Sequence, residues 1–335
     1  MTSRIVIHVG MHKTATTHIQ DIFYHNRKLL KRHGVVVPWI GKCRGQHGLA
    51  SAWINLPPPY AIRAPRRAWQ RLARAHARGS NAVFVSSEEL SRLFPARVDM
   101  ADLRELVSDF DRVELICGMR SQAGFLQSVY QQISAERHPG PLRMFLSSAL
   151  QRGVVDGLAL DYAALYRHFR TGFAASEIKL ISYEDAVRQA SGIVGAFLNI
   201  LGVPFGPDEL EPFIQGHSNP SPMPLASLLA NRVSAPERAR PDLVALVQSH
   251  LREGLPPQRR TTLFTRPELR QITHQFAASN AQLATMVQPV QPGFSIVPLP
   301  SADLVFRGQV PPEVWPAIAS HLLRDTAEGA HRWHG

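Results

Sequence analysis

The chain has 335 residues, of which 44% are hydrophobic and 19% are charged, a composition typical of folded globular proteins and unlike that of disordered ones. Lys and Arg number 37 against 26 Asp and Glu, a net charge of +11 that fits an Arg-rich solvated surface or an anionic partner. The two cysteines, Cys43 and Cys117, lack metal-ligand spacing, which argues against a disulfide framework or a zinc site. The sequence shows no signal peptide and no apolar run near the roughly 20 residues of a spanning helix, so we expect a cytoplasmic chain without stable membrane insertion.

The first half of the chain alternates strands and helices. Hydrophobic patterns predict strands at 5–9, 35–37, 82–86 and 113–118, and helices at 16–32, 66–78, 100–110 and 125–134. A long connection spans 39–62, and connections of that length are often functional. Arginines spaced by three and four along 63–78 indicate one face of a helix, and no basic block has interleaved aromatics. Nucleic acid is therefore not an expected partner.

The second half begins with helices at 142–151 and 161–170, a fifth strand at 178–182 and a helix at 193–201. Helices at 224–233, 241–252 and 266–287 follow, and a proline-punctuated stretch at 289–300 precedes a short helix near 311–325. The alternation predicts a P-loop NTPase-like, three-layer α/β fold with a mostly parallel five-stranded central sheet and helical C-terminal additions. We expect one domain over 1–288, with its core at 4–205 and a helical extension at 206–288, and a tail at 289–335.

The loop after the first strand is suited to binding an anion. Gly10 ends the strand, and Lys13, Thr14, Thr16 and Thr17 lead into the helix. Loop amides, a helix N-terminus and a lysine charge then converge on one point. The spacing excludes a Walker A motif, since that motif has a second glycine directly before its lysine. The alternative is an ordinary strand-to-helix turn whose threonines only cap the helix.

The segment Gly10 to Thr17 resembles the 5′-phosphosulfate-binding loop of sulfotransferases, particularly of the bacterial carbohydrate type. These enzymes use 3′-phosphoadenylyl sulfate as donor, release adenosine 3′,5′-bisphosphate and need no metal. The resemblance implies that Gly10, Lys13, Thr14, Ala15, Thr16 and Thr17 hold the donor. The family usually has glycine where this chain has Ala15, and a positive φ there would cost about 1 kcal/mol.

A second part of the resemblance lies after strand four. Arg120 follows that strand and Ser128 lies on the next helix, a spacing that in the family binds the 3′-phosphate of the donor. A planar guanidinium suits a phosphate. Tyr183, at the end of strand five, either borders the adenine or is a core tyrosine. The resemblance covers about residues 4–205.

The candidate general bases come from two segments. Glu88 follows strand three and so should face the loop, although it could simply be a helix N-terminal carboxylate. His47, in the long connection, is the competing base. With Lys13 neutralising charge on the leaving oxygen, the resemblance implies in-line sulfuryl transfer to a hydroxyl of a carbohydrate, glycolipid or other small molecule. A small-molecule kinase or a non-catalytic nucleotide-binding protein remains the alternative, and the sequence leaves the acceptor and the oligomeric state open.

Overall fold

The computed structural model describes residues 2–213, 221–256, 259–300 and 302–331, without the side chains of 324–331. The strands in chain order are β1 (Arg4–His8), β2 (Val35–Val36), β3 (Ala82–Ser86), β4 (Arg112–Met119), β5 (Val154–Val155), β6 (Leu158–Ala159), β7 (Ile178–Ser182), β8 (Arg260–Thr261) and β9 (Leu304–Val305). The helices are α1 (Thr16–His25), α2 (Arg27–Arg32), α3 (Pro65–His76), α4 (Met100–Leu106), α5 (Gln122–Glu136), α6 (Leu142–Arg152), α7 (Tyr162–Phe169), α8 (Tyr183–Ala186), α9 (Gly192–Leu201), α10 (Pro224–Ser234), α11 (Pro241–Gly254), α12 (Arg266–Val287) and α13 (Val314–His331).

The central sheet has five strands in the order β2-β3-β1-β4-β7. Every pairing is parallel, and Ile7 of β1 lies opposite Val85 of β3 and Leu115 of β4. Helices cover both sides of the sheet. The predicted fold class is confirmed. Because all five strands run the same way, their carboxyl ends meet at one edge, where ligands bind in sheets of this kind.

The core lies on both faces of the sheet. On one face Val6, Phe84 and Ile116 pack with Phe23 of α1 and Phe197 of α9. Successive strand residues point to opposite faces, so the equally buried Ile5 and Ile7 face the other layer. This double burial explains why the strands read as continuous apolar runs in the sequence.

The helix predicted over 16–32 is in fact two helices, because Asn26 interrupts it. The Asn26 amide nitrogen donates to the carbonyl of Glu211, and its oxygen accepts from the Glu211 amide at 2.9 Å. Asparagine side chains that bond to backbone compete with helical bonding. The periodicity continued across the break, so the sequence alone did not reveal it.

Two short sheets were not predicted. β5 and β6 form an antiparallel hairpin around Asp156 and Gly157, both with positive φ, and Asp-Gly is a strong signal for such a turn. β8 pairs with β9 in parallel. That pairing joins residues far apart in the chain, so no local sequence pattern predicts it.

The described residues cluster into two compact units. One unit comprises 2–121, 153–213 and 276–297 and contains the central sheet. The other comprises 122–152, 221–256, 259–275, 298–300 and 302–331 and is mainly helical. The sequence predicted two successive parts, a domain at 1–288 and a tail at 289–335, whereas the two units alternate along the chain. The predicted division therefore stays a prediction. The predicted helices at 266–287 and near 311–325 correspond to α12 and α13.

Candidate functional site

The loop between β1 and α1 turns sharply on residues with positive φ. Gly10, Lys13 and Ala15 have φ of 51°, 65° and 63°. A Cβ atom added to Gly10 would lie 2.9 Å from Thr16 Oγ1, so only glycine fits there. Ala15 has a positive φ that glycine would adopt without strain. Two L-residues in the left-handed region mark a strained loop, as is common at ligand sites.

Two of the loop threonines form hydrogen bonds within the loop. Thr14 Oγ1 donates to the Met11 carbonyl at 2.6 Å and Thr16 Oγ1 donates to the same carbonyl at 3.3 Å, and both side chains are buried, while Thr17 is exposed. Ala15 is the N-cap of α1, and no side chain of the described residues caps the helix. The threonine capping that the sequence allowed is therefore not formed. The first-turn amides of α1, beside Lys13, are left for water or an anion.

The two candidate bases lie side by side at the end of β3. His47 Nδ1 is 3.7 Å from Glu88 Oε2, and the two side chains are 12% and 15% exposed. His47 Nδ1 also lies 3.2 Å from Ser87 Oγ, within hydrogen-bond distance. A Cβ atom on Gly10 would lie 3.4 Å from Glu88 Cβ, so Glu88 borders the anion loop. Glu88 does begin a short helical turn, Glu88–Ser91, but it is also part of this pair.

Three residues that the sequence interpretation missed hold the pair in place. Gln20 Nε2 donates to Glu88 Oε2 and to Ser86 Oγ, each at 3.1 Å. Gln46 is 1% exposed. Its backbone amide donates to the Ser86 carbonyl and its side-chain oxygen accepts from the Ser86 amide, each at 2.8 Å. These bonds hold the neighbouring His47 close to Glu88. A Cβ atom on Gly45 would lie 2.6 Å from both Gln20 Cδ and His47 Nε2, so this glycine permits the close approach. None of the three carries a signal recognisable without the fold.

The other histidines near the loop have different surroundings. His12 Nε2 lies 3.6 Å from Glu89 Oε1, and Arg92 Nε donates to Glu89 at 2.7 Å. Burial lowers the pKa of His12 below its usual value, although Glu88 and Glu89 oppose the shift. Burial also raises the pKa of Glu89, but its bond with Arg92 and the nearby His12 outweigh that and leave the pKa lowered. His18 is exposed on α1.

His8, the last residue of β1, lies behind the loop. It is fully buried, its Nδ1 lies 2.9 Å from Ser86 Oγ, and its ring contacts Phe197 with a centroid separation of 4.6 Å. Burial lowers the pKa of His8 to about 3. A neutral imidazole therefore packs beneath the anion loop at neutral pH.

Arg120 lies at the same edge of the sheet, after β4. Its guanidinium stacks over the Tyr183 ring, 4.9 Å from the centroid, and its Nη1 donates to the Lys13 carbonyl at 3.3 Å. Tyr183 is half-buried, so it is not a core tyrosine. The Glu184 carboxylate accepts from the Ser121 amide at 3.0 Å and the Ser121 hydroxyl at 2.8 Å. Glu184 therefore holds the turn that carries Arg120.

Ser128, the predicted partner of Arg120, lies half-buried on α5. It belongs to the helical unit, whereas Arg120 belongs to the sheet unit. Their joint role stays a prediction.

Metal and membrane features were searched in the described residues. No group of three His, Cys, Asp or Glu side chains is arranged to hold a metal ion there. Within the same residues, no helix combines the length and apolar character needed to cross a membrane.

Comparison with known proteins adds one likeness. No protein-family model matches the chain, and no curated protein matches it in sequence. Among solved structures, the chain is similar to a sulfotransferase from Alicyclobacillus acidocaldarius, with 16% identity, coverage of 86% of this chain and 97% of that chain, and a TM-score of 0.49. At that identity and TM-score the likeness carries no weight for function.

Proposed function

We propose that this chain is a sulfotransferase that moves a sulfuryl group from 3′-phosphoadenylyl sulfate to an acceptor hydroxyl, on a carbohydrate, a glycolipid or another small molecule. The observation that carries the proposal is the placement of the Glu88–His47 pair beside the uncapped anion loop. A proton acceptor next to a phosphate- or sulfate-binding loop is what transfer to a hydroxyl requires.

Glu88 is the general base in this proposal. Its Oε2 is held by Gln20 and lies near His47, while no described residue donates a hydrogen bond to Oε1. Oε1 would take the acceptor proton as the new oxygen–sulfur bond forms and the bridging sulfur–oxygen bond breaks. His47 then acts as the positioning and charge partner of Glu88, and not as its competitor.

In this proposal the donor binds at the carboxyl edge of the sheet. Gly10, Lys13 and the first-turn amides of α1 suit a sulfate-bearing phosphate, with Lys13 neutralising charge on the leaving oxygen. Thr14, Ala15 and Thr16 shape the loop, and Thr17 presents a hydroxyl. Arg120 over Tyr183 suits a second phosphate and its adenosine, with Ser128 proposed to assist.

Calorimetry with adenosine 3′,5′-bisphosphate, with and without Mg²⁺, tests the donor site. We expect binding that does not need the metal and that Arg120→Ala weakens by roughly 10-fold or more. Arg78→Ala, at an exposed position of the same unit, is the matched control. Binding of ATP with Mg²⁺ in place of the bisphosphate would refute the proposal and favour a kinase.

Transfer of radiolabelled sulfate to a broad panel of hydroxyl acceptors tests the chemistry. We expect transfer by the wild type and a loss in Glu88→Gln of roughly 10²- to 10⁴-fold. Tight bisphosphate binding without transfer to any acceptor would instead assign the chain to non-catalytic nucleotide-binding proteins.

A further inference from the structure

A cavity of about 440 Å³ lies within the helical unit. Its apolar wall includes Tyr130 of α5, Leu142 of α6 and Leu228 of α10, and three arginines line it as well: Arg143, Arg232 and Arg307. The volume falls in the range of about 300–1,000 Å³ typical of small-molecule sites. The lining combines an apolar surface with cationic groups.

The charge of the cavity is positive. Arg307 pairs with Glu268 at 2.7 Å, and Glu268 also accepts from the Thr265 amide at the start of α12. Arg143 and Arg232 are exposed at the edge of the cavity, and neither forms an ion pair with a described residue. The lining thus contains three guanidinium groups and one carboxylate, which leaves an excess of positive charge for an anion.

Tyr130 supplies a hydroxyl group in the same cavity. The residue is 2% exposed, and its hydroxyl makes no hydrogen bond with a described residue. Burial raises the pKa of Tyr130 to about 12, against the opposing charges of Arg232 and Arg307. The phenol therefore stays protonated at neutral pH and can donate to a ligand oxygen, which would satisfy a polar group that is costly to leave unpaired.

The wall at the start of α6 is preformed. The Gly140 amide donates to His138 Nδ1, and His138 Nε2 lies 3.1 Å from the Asn231 carbonyl. Since Nδ1 accepts from the Gly140 amide, Nε2 is the ring nitrogen that can donate to the Asn231 carbonyl. Both nitrogens are used to hold the segment that precedes Leu142 and Arg143.

We propose that this cavity binds a small amphipathic organic anion, in which an aromatic or branched apolar body carries a single sulfonate, sulfate or carboxylate group. Arg143, Arg232 and the Tyr130 hydroxyl contact the acidic group. Leu142 and Leu228 contact the apolar body. None of the residues that line the cavity is among those proposed to bind the donor or to act as the base, so the site is distinct from the one proposed for sulfuryl transfer.

The test compares two dyes with the same ring system on the full-length protein by fluorescence titration. The dye 1-anilinonaphthalene-8-sulfonate carries the acidic group, and N-phenyl-1-naphthylamine lacks it. We expect the sulfonate to bind the wild type more tightly. The double variant Arg143→Gln/Arg232→Gln should weaken it by roughly tenfold, and Tyr130→Phe by about threefold, while binding of the uncharged dye should change by less than about twofold.

Arg252→Gln is the matched control. Arg252 lines a separate cavity of about 470 Å³ in the same unit, so its loss should change sulfonate binding by less than about twofold. Circular dichroism and a urea midpoint check that each variant is folded. The proposal fails if the double variant binds the sulfonate like the wild type, if Arg252→Gln weakens binding equally, or if the wild type does not distinguish the two dyes.

Discussion

His47 Nδ1 lies 3.7 Å from Glu88 Oε2, although the two residues come from different connections of the sheet. Two residues that the sequence offered as rival bases are therefore neighbours in one cluster of polar side chains. Gln20 donates a hydrogen bond to Glu88, and Ser87 lies within hydrogen-bond distance of His47. Groups that act together in this way show non-additive losses when they are mutated.

Removing either member of the pair should reduce turnover. We expect Glu88→Gln to lower kcat by roughly 10²- to 10⁴-fold and His47→Asn to lower it less. The double variant should lose little more than Glu88→Gln alone. Radiolabelled transfer assays measure kcat, and Glu105→Gln, at an exposed position of α4, is the control. Multiplicative losses in the double variant would show that the residues act separately.

Gly45→Ala tests how closely the pair is packed. A Cβ atom there would lie 2.6 Å from Gln20 Cδ and His47 Nε2, so both side chains must shift. We expect kcat to fall by roughly 10- to 100-fold, with bisphosphate affinity unchanged. In the control Gly79→Ala, the nearest atom is 3.4 Å away, and activity should be retained. Wild-type turnover in Gly45→Ala would mean that the observed positions of Gln20 and His47 do not matter.

Ala15→Gly should stabilise the protein. Ala15 has a φ of 63°, and glycine adopts that conformation without the penalty of about 1 kcal/mol that alanine incurs. Urea unfolding should therefore show a higher free energy of unfolding for the variant. The same substitution at Ala278, exposed within α12, should destabilise by about 0.5–1 kcal/mol. If glycine changed the free energy of unfolding in the same direction at both positions, the strain assigned to Ala15 would be contradicted.

His8 should make the protein less stable in acid. Burial lowers its folded-state pKa from 6.5 to about 3, so only the unfolded state takes up the proton between those values. The free energy of unfolding should fall by about 1.4 kcal/mol per pH unit in that window. Between pH 7 and pH 5 that amounts to roughly 2 kcal/mol, which His8→Gln should remove.

Urea unfolding of wild type and His8→Gln at pH 7 and pH 5 measures this difference. His18→Gln, at an exposed position of α1, is the control and should keep the wild-type dependence on pH. The same pH dependence in His8→Gln and wild type would show that His8 does not contribute to it.

Much of this protein was determined by the sequence locally. Apolar runs ending at Val9, Ser86 and Gly118 predicted parallel strands, because a strand buried on both faces needs no polar alternation. Gly10 and Lys13 predicted an anion loop, because a strand-to-helix turn brings amides and charge together over few residues. The resemblance to sulfotransferases also marked Ala15 as a position where a positive φ would be strained.

Only the tertiary structure decided which residues work together. Gln20, Gln46 and Glu184 look like ordinary polar residues in the sequence, and their roles come from partners on other elements. The same holds for the helix break at Asn26, which depends on Glu211. Local propensity and periodicity record how a residue suits its own segment. Contacts between distant segments produce no periodic pattern in the sequence. The pairing of His47 with Glu88 is therefore visible only in the tertiary structure, where the sheet brings their two connections to one edge.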